Sequence, residues 1–173
     1  MTTFDERGDH LLEPLRNNRR TNSVFGFASA IGDFSLIWHV IGLFYAIGSI
    51  HRLHQALALS ISLGAESLVV NQGIKRMFRR ERPTTNGDDR FDIRTPRTSS
   101  FPSGHASSAT FAAILLTSFT GFPLAIVWIV IACVVALSRV VVRIHHLSDI
   151  VGGIVTGALL AVIAVPVVSS FLS

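Results

Sequence analysis

The stretch RIHHLSDI, residues 143–150, sets two adjacent histidines just before an aspartate. His145 and Asp149 are four apart and His146 and Asp149 are three apart, so a helix through this stretch puts either pair on one face. A carboxylate that holds one ring N–H leaves the other imidazole nitrogen free as a nucleophile. Helical spacing alone leaves both histidines open. Arg139, a little upstream in SRVVVRIHH, adds a planar guanidinium whose fork matches phosphate oxygens.

A second cluster is FPSGHASS, residues 101–108. Pro102 suits the start of a helix. Ser103 and Gly104 then stand in the first turn, where unpaired backbone N–H groups and the helix dipole attract an anion. Gly104 lets that anion approach the backbone closely. His105 sits beside it with an imidazole able to give or take a proton near neutral pH. A third cluster is KRMFRRERP, residues 75–83. It holds Lys75, the one lysine in a chain that otherwise uses arginine, and Arg82.

These clusters need elements to hold them. The chain has 173 residues, enough for one domain, and is 49% hydrophobic but only 15% charged, with mean hydropathy +0.51. Residues 24–50 carry one charge, Asp33, and residues 55–74 carry one, Glu66. Residues 106–137 and 150–173 carry none. A bilayer core takes roughly 20 apolar residues as helix, so these runs read as membrane spans. An uncharged helix over all of 106–137 would reach about 48 Å, too long for one crossing, and Gly121-Phe122-Pro123 divides it. The reading is an all-α integral membrane bundle of about five transmembrane helices, over 24–50, 55–75, 103–120, 123–142 and 147–172. HRLH, 51–54, is read as the first tight turn. Residues 1–22 form a polar segment suited to an interfacial helix, and 23–173 the transmembrane domain. No secretory signal is evident, since the first 23 residues are polar. The single cysteine, Cys133, excludes an intrachain disulfide.

With five spans, the three clusters share one side of the membrane. Of the 15 lysines and arginines, only Arg52 falls on the other, which predicts a cytoplasmic site. Discounting Lys75, Arg82 and Arg139 leaves the imbalance intact. Asp33 and Glu66, each alone in a span, call for a partner, either a hydrogen bond between helices or a place on a substrate wall. Gly153 and Gly157 are spaced for close helix packing. Arg76, Arg79, Arg80, Arg90, Arg94 and Arg97 read as a solvated surface facing lipid headgroups. The basic loop is tied to the membrane and lacks interleaved aromatics, so nucleic acid is not the expected partner.

In order, the chain shows K-x6-R-P at Lys75, Arg82 and Pro83, P-S-G-H at 102–105, and S-R-x5-H-x3-D at Ser138, Arg139, His145 and Asp149. This resembles the type 2 phosphatidic acid phosphatase superfamily, which also includes bacterial acid phosphatases and vanadium haloperoxidases. The motifs match at every defined position across residues 75–149. The resemblance implies His145 as the nucleophile that forms a phosphohistidine, Asp149 as its orienting group, and His105 as acid to the leaving alkoxide and then base to water. It implies Lys75, Arg82, Ser103, Gly104 and Arg139 as phosphate ligands. His146 becomes a neighbour rather than the attacking group. Three cations and a helix terminus supply positive charge for phosphoryl transfer, and no carboxylate cluster suits Mg²⁺, so neither metal nor cofactor is expected.

The expected activity is hydrolysis of a lipid phosphomonoester or diphosphate, with the substrate tail kept in the bilayer. With a cytoplasmic site, a lipid intermediate made inside fits better than a polyprenyl diphosphate recycled on the outer face, and one such class is the polyprenyl-phosphate phosphopentose of actinobacterial wall synthesis. Phosphatidate, phosphatidylglycerophosphate and polyprenyl diphosphate are the alternatives. A vanadate-dependent peroxidase, a silent lipid-binding or transport protein, and a lipid phosphotransferase are the rival activities. The sequence does not indicate an oligomeric state.

Overall fold

The computed structural model describes residues 3–83 and 98–172. Among these the chain is helical throughout: α1 Thr3–Arg16, α2 Arg19–Ile31, α3 Leu36–Ala46, α4 Ile50–Ser67, α5 Lys75–Met77, α6 Gly104–Thr120, α7 Leu124–Val141 and α8 Leu147–Leu172. A π-helical segment, Leu68–Ile74, joins α4 to α5, so that Ile50–Met77 is one 28-residue apolar helix. This segment, α7 and α8 are each long and apolar enough to cross a membrane. Their outward faces carry Leu57, Ile61, Ile126, Ile129, Val162 and Ile163 exposed, as lipid-facing helices do.

The expected straight span over 24–50 is broken. A short 3₁₀ turn, Asp33–Ser35, lies between α2 and α3, and the pair is bent by 65°. Phe34 and Ser35 both have positive φ, 53° and 60°, a conformation that ends an α-helix for residues with a Cβ. The expected turn at HRLH is also displaced. Residues 51–54 lie inside α4, and the reversal comes at residues 47–49. Gly48 supplies the positive φ of +79°, and the Ser49 hydroxyl caps α4 by accepting from Arg52 N–H at 3.4 Å.

α6 is the central helix, packed against α4, α7 and α8. Its 17 residues span about 26 Å, and its apolar residues Ala109, Phe111, Ala112, Leu115 and Leu116 form the core with Trp38, Leu59, Leu63 and Val135. Gly153 and Gly157 let α8 lie directly on its backbone. A Cβ at Gly153 would come within 2.5 Å of the Ser103 carbonyl oxygen, and one at Gly157 would overlap the Ser107 carbonyl. This close approach fixes the N-terminus of α6 against the first turns of α8, where Ser103 N–H donates to Asp149 O at 3.0 Å.

α1 docks on the turn between α7 and α8. Buried Arg16 donates from Nε to Val141 O at 3.1 Å and from its NH2 nitrogen to Val140 O at 3.0 Å, satisfying carbonyls at the end of α7. Its charge is met by Asp9 at 2.7 Å and Glu13 at 3.0 Å. At the other end of the turn, Asp5 Oδ1 accepts from Ser148 N–H at 2.9 Å, a carboxylate on the positive end of α8.

The α6–α8 contact leaves no room for a side chain. Gly157→Val is expected to cost about 1–3 kcal/mol by overpacking and to lower the melting temperature in detergent. Gly64→Ala meets nothing within 4 Å and should leave that temperature unchanged or raised.

Candidate active site

The three motif clusters converge on one cavity of about 320 Å³, lined by Lys75, Arg82, Gly104, His105, Arg139 and His145 together with Asp33, Ser35, Glu66, Ser67, Asn71 and Gln72. Each comes from a helix end. The π segment and α5 deliver Lys75, α6 opens on Gly104 and His105, α7 closes on Arg139, and the following turn carries His145. Two of the predicted site residues, Ser103 and Asp149, stand behind the wall rather than in it. The Ser103 hydroxyl is used as the N-cap of α6, accepting from Ala106 N–H at 3.4 Å. At the opening of that helix the first N–H groups lack intrahelical partners and suit an anion. A Cβ at Gly104 would come 3.2 Å from Asn71 Oδ1 and 3.5 Å from Lys75 Nζ, so the missing side chain keeps the lysine beside the helix end.

His145 and Asp149 meet across the turn that enters α8 rather than along one helical face. α8 begins at Leu147, and His145 is held by its backbone N–H donating to Arg139 O at 3.1 Å. His145 Nδ1 lies 3.4 Å from Asp149 Oδ2, and Nε2 lies 3.2 Å from a guanidinium nitrogen of Arg82. A guanidinium only donates, so Nε2 accepts and Nδ1 carries the proton toward Asp149. This tautomer leaves the lone pair on the nitrogen that stands beside Arg82. His146 is placed differently. It does not line the cavity, and its backbone N–H donates to Asp149 Oδ2 at 2.8 Å.

Asp149 is fully buried and collects further donors. The Ser100 hydroxyl donates to Oδ2 at 2.5 Å, and Arg80 meets Oδ1 at 2.6 Å. Arg80 also meets Asp5 Oδ2 at 2.6 Å, so α1 reaches the site through one arginine. The expectation that Arg80 is a solvated surface residue is corrected: a pair of carboxylates, one far upstream in sequence, draws it inward. Arg76 and Arg79 are exposed, while Arg90, Arg94 and Arg97 lie outside the described residues.

Arg82 is held rigidly by the carbonyls of Ile144, Thr98 and Ser99 at 3.1–3.3 Å. Burial pushes its pKa down to about 10, which still leaves it charged at neutral pH. Arg139 is 1% exposed. One of its terminal nitrogens donates to the Ser29 hydroxyl and lies 4.0 Å from Asp33. Its Nε is buried and has no hydrogen-bond partner among the described residues.

Sequence reasoning missed Ser29, Ser100 and Asp5, whose partners lie far away in the chain. Asp33 and Glu66 did carry a signal, as lone charges in apolar runs. Both line the cavity, and Glu66 also accepts from the Ser107 hydroxyl.

A family model described as the PAP2 superfamily matches residues 55–172. Decaprenylphosphoryl-5-phosphoribose phosphatase of Mycobacterium tuberculosis (strain ATCC 25618 / H37Rv) is 34% identical over 131 residues, 75% of this chain and 71% of that protein. The protein of the same name from Mycolicibacterium smegmatis (strain ATCC 700084 / mc(2)155) is 45% identical over 80 residues, 46% of this chain and 42% of that one. Among solved structures, the transmembrane PAP2-type phosphatidylglycerolphosphate phosphatase from Bacillus subtilis superposes with a TM-score of 0.69 at 24% identity, covering 98% of this chain and 88% of that one.

Burial holds the His145 pKa well below the ordinary imidazole value, and Arg82, Arg139 and Lys75 add to that effect against the pull of Asp149. The unfolded chain would bind this proton near pH 6.5, so the contribution of neutral His145 to stability is present above that value and fades as pH falls through it. By histidine NMR, the resonance absent from H145A should show no titration midpoint at or above about pH 6.5. A midpoint in the ordinary range would contradict the buried, cation-faced placement.

Proposed function

The chain belongs to the PAP2 superfamily and is a membrane lipid phosphatase, and we propose that its substrate is a polyprenyl-phosphate-linked phosphopentose hydrolysed through a phosphohistidine on His145. The observation that carries this reading is the make-up of the cavity wall. Lys75, Arg82, Arg139 and the α6 N-terminus form a cradle for a phosphoryl group. A second group, Ser35, Ser67, Asn71 and Gln72, adds hydroxyl and amide groups of the kind that pair with sugar hydroxyls. A diacylglycerol offers that second group of side chains little to bind. The Mycobacterium tuberculosis and Mycolicibacterium smegmatis relatives bear the name of a decaprenylphosphoryl-5-phosphoribose phosphatase, in keeping with this composition.

In the proposed reaction Nε2 of His145 attacks phosphorus in line with the departing sugar oxygen. Asp149 holds Nδ1–H and stabilises the ring as it becomes cationic. The three cations and the helix terminus meet the charge on the phosphoryl oxygens, which is the main demand of phosphoryl transfer. His105 supplies the proton that the sugar oxygen takes. It then removes one from the water that attacks the phosphohistidine, which releases inorganic phosphate and returns the electron pair to His145.

We place this site on the cytoplasmic face of the cell membrane, on the strength of the arginine imbalance along the chain. α1, with Phe4, Leu11 and Leu15 exposed, then lies at headgroup level beside it.

The test is phosphate release by the purified protein from four lipids: a polyprenyl-phosphate phosphopentose, phosphatidate, phosphatidylglycerophosphate and a polyprenyl diphosphate. The first is expected to give the highest kcat/KM, and H145A is expected to lose at least about 10³-fold in kcat. Preference for another member of the panel would overturn the substrate. Full turnover by H145A would overturn the mechanism.

A further inference from the structure

His105 is in contact with a part of the chain that lies upstream of the residues matched by the family model. Its Nε2 is 3.1 Å from Asp33 Oδ1 and 3.3 Å from the Ser29 carbonyl oxygen. A carbonyl and an ionised carboxylate only accept, so Nε2 carries a proton shared between them. Nδ1 makes no hydrogen bond among the described residues. Gly32 closes over the same edge of the ring: a Cβ there would stand 2.6 Å from His105 Cδ2 and 3.2 Å from Nε2. His105 itself lines the cavity.

This contact exists because the first apolar run is broken. Two consecutive non-glycine residues with positive φ, Phe34 and Ser35, are uncommon and costly. A lone aspartate in an apolar run is costly as well. Together they bend the helix and bring the Asp33 carboxylate onto the imidazole. The same segment reaches Arg139, which donates to Ser29. The electrostatics favour such an arrangement. His105 shares its cavity with Lys75, Arg82 and Arg139, each of which repels an imidazolium, and Asp33 is the carboxylate placed against the ring.

We infer that Asp33 is a positioning residue, forming with His105 a second histidine–carboxylate pair that presents Nδ1 to the cavity as the acid and base of the reaction. This rests on the phosphohistidine reading above. As the phosphorus–oxygen bond to the sugar breaks, Nδ1–H of the imidazolium passes its proton to the departing oxygen, while Nε2–H stays on Asp33. As water attacks the phosphohistidine, Nδ1 takes a proton from it, the phosphorus–nitrogen bond breaks, and the imidazolium is restored. Each carboxylate thus fixes one ring: Asp149 through Nδ1 leaves Nε2 of His145 to attack, and Asp33 through Nε2 leaves Nδ1 of His105 to move the proton.

The experiment is a double-mutant cycle on phosphate release from the lipid phosphate that the wild-type protein turns over best. D33N is expected to lower kcat by roughly tenfold or more with KM within about twofold. Added to H105A, it should cost less than about twofold more, as action through that ring requires. Equal rates for D33N and wild type, or losses that multiply in the double variant, would overturn the inference while leaving the phosphatase reading intact. A wild-type protein that releases no phosphate from any lipid would overturn that reading instead. The fold of each variant is compared by melting temperature in detergent, and Asp33→Ser replaces D33N in the cycle if the latter is perturbed.

Discussion

The buried carboxylate of Asp149 is the interaction on which the rest of the structure depends. A carboxylate with no solvent exposure survives only when its oxygens are met by donors. Here the donors come from distant parts of the chain: Ser100, Arg80, the backbone of His146 and the ring of His145. Satisfying one anion therefore assembles the site. Arg80 brings the segment after α5 and, through Asp5, the N-terminal helix. Ser100 brings the residues that precede α6. The histidine is fixed in one tautomer by the same contact.

The second constraint is steric. The Asp149 network requires α6 and α8 to begin side by side, and the two glycines of α8 allow this by letting backbone meet backbone. The hydrogen bond from Ser103 N–H to Asp149 O closes the arrangement. The open helix terminus at Gly104, the neighbouring Lys75 and the paired arginines are then spaced around a cavity rather than merged into the core. Positive charge collected in this way costs desolvation and mutual repulsion. Asp33, in the cavity wall, and Asp149, behind it, offset it.

Much of this could be read in the sequence, for reasons that are local. Uncharged runs of span length marked the helices, and Pro102, Ser103 and Gly104 marked the start of α6 because capping preferences depend on neighbours a few residues away. Gly153 and Gly157 were legible as a packing surface from their spacing. The misplaced turn was also a local matter: Gly48 and Ser49 carry the signal, and HRLH is the first helical turn that follows it. The break at residues 33–35 left only a hint, an aspartate next to a glycine in an apolar run. What it is for depends on His105, more than 70 positions away. Arg80 and Asp5 gave no usable signal at all, since an arginine in a basic loop and an aspartate in a polar tail look like surface until their shared partner is known.

The proposed chemistry turns on one nitrogen, Nε2 of His145. Rapid quench of the protein with its lipid phosphate, followed by mass analysis of the peptide spanning residues 143–150, should find an acid-labile, base-stable phosphoryl group on His145. The group should vanish as product accumulates. Phosphorylation of another residue, or single-turnover phosphate release with no phosphorylated intermediate, would contradict the account.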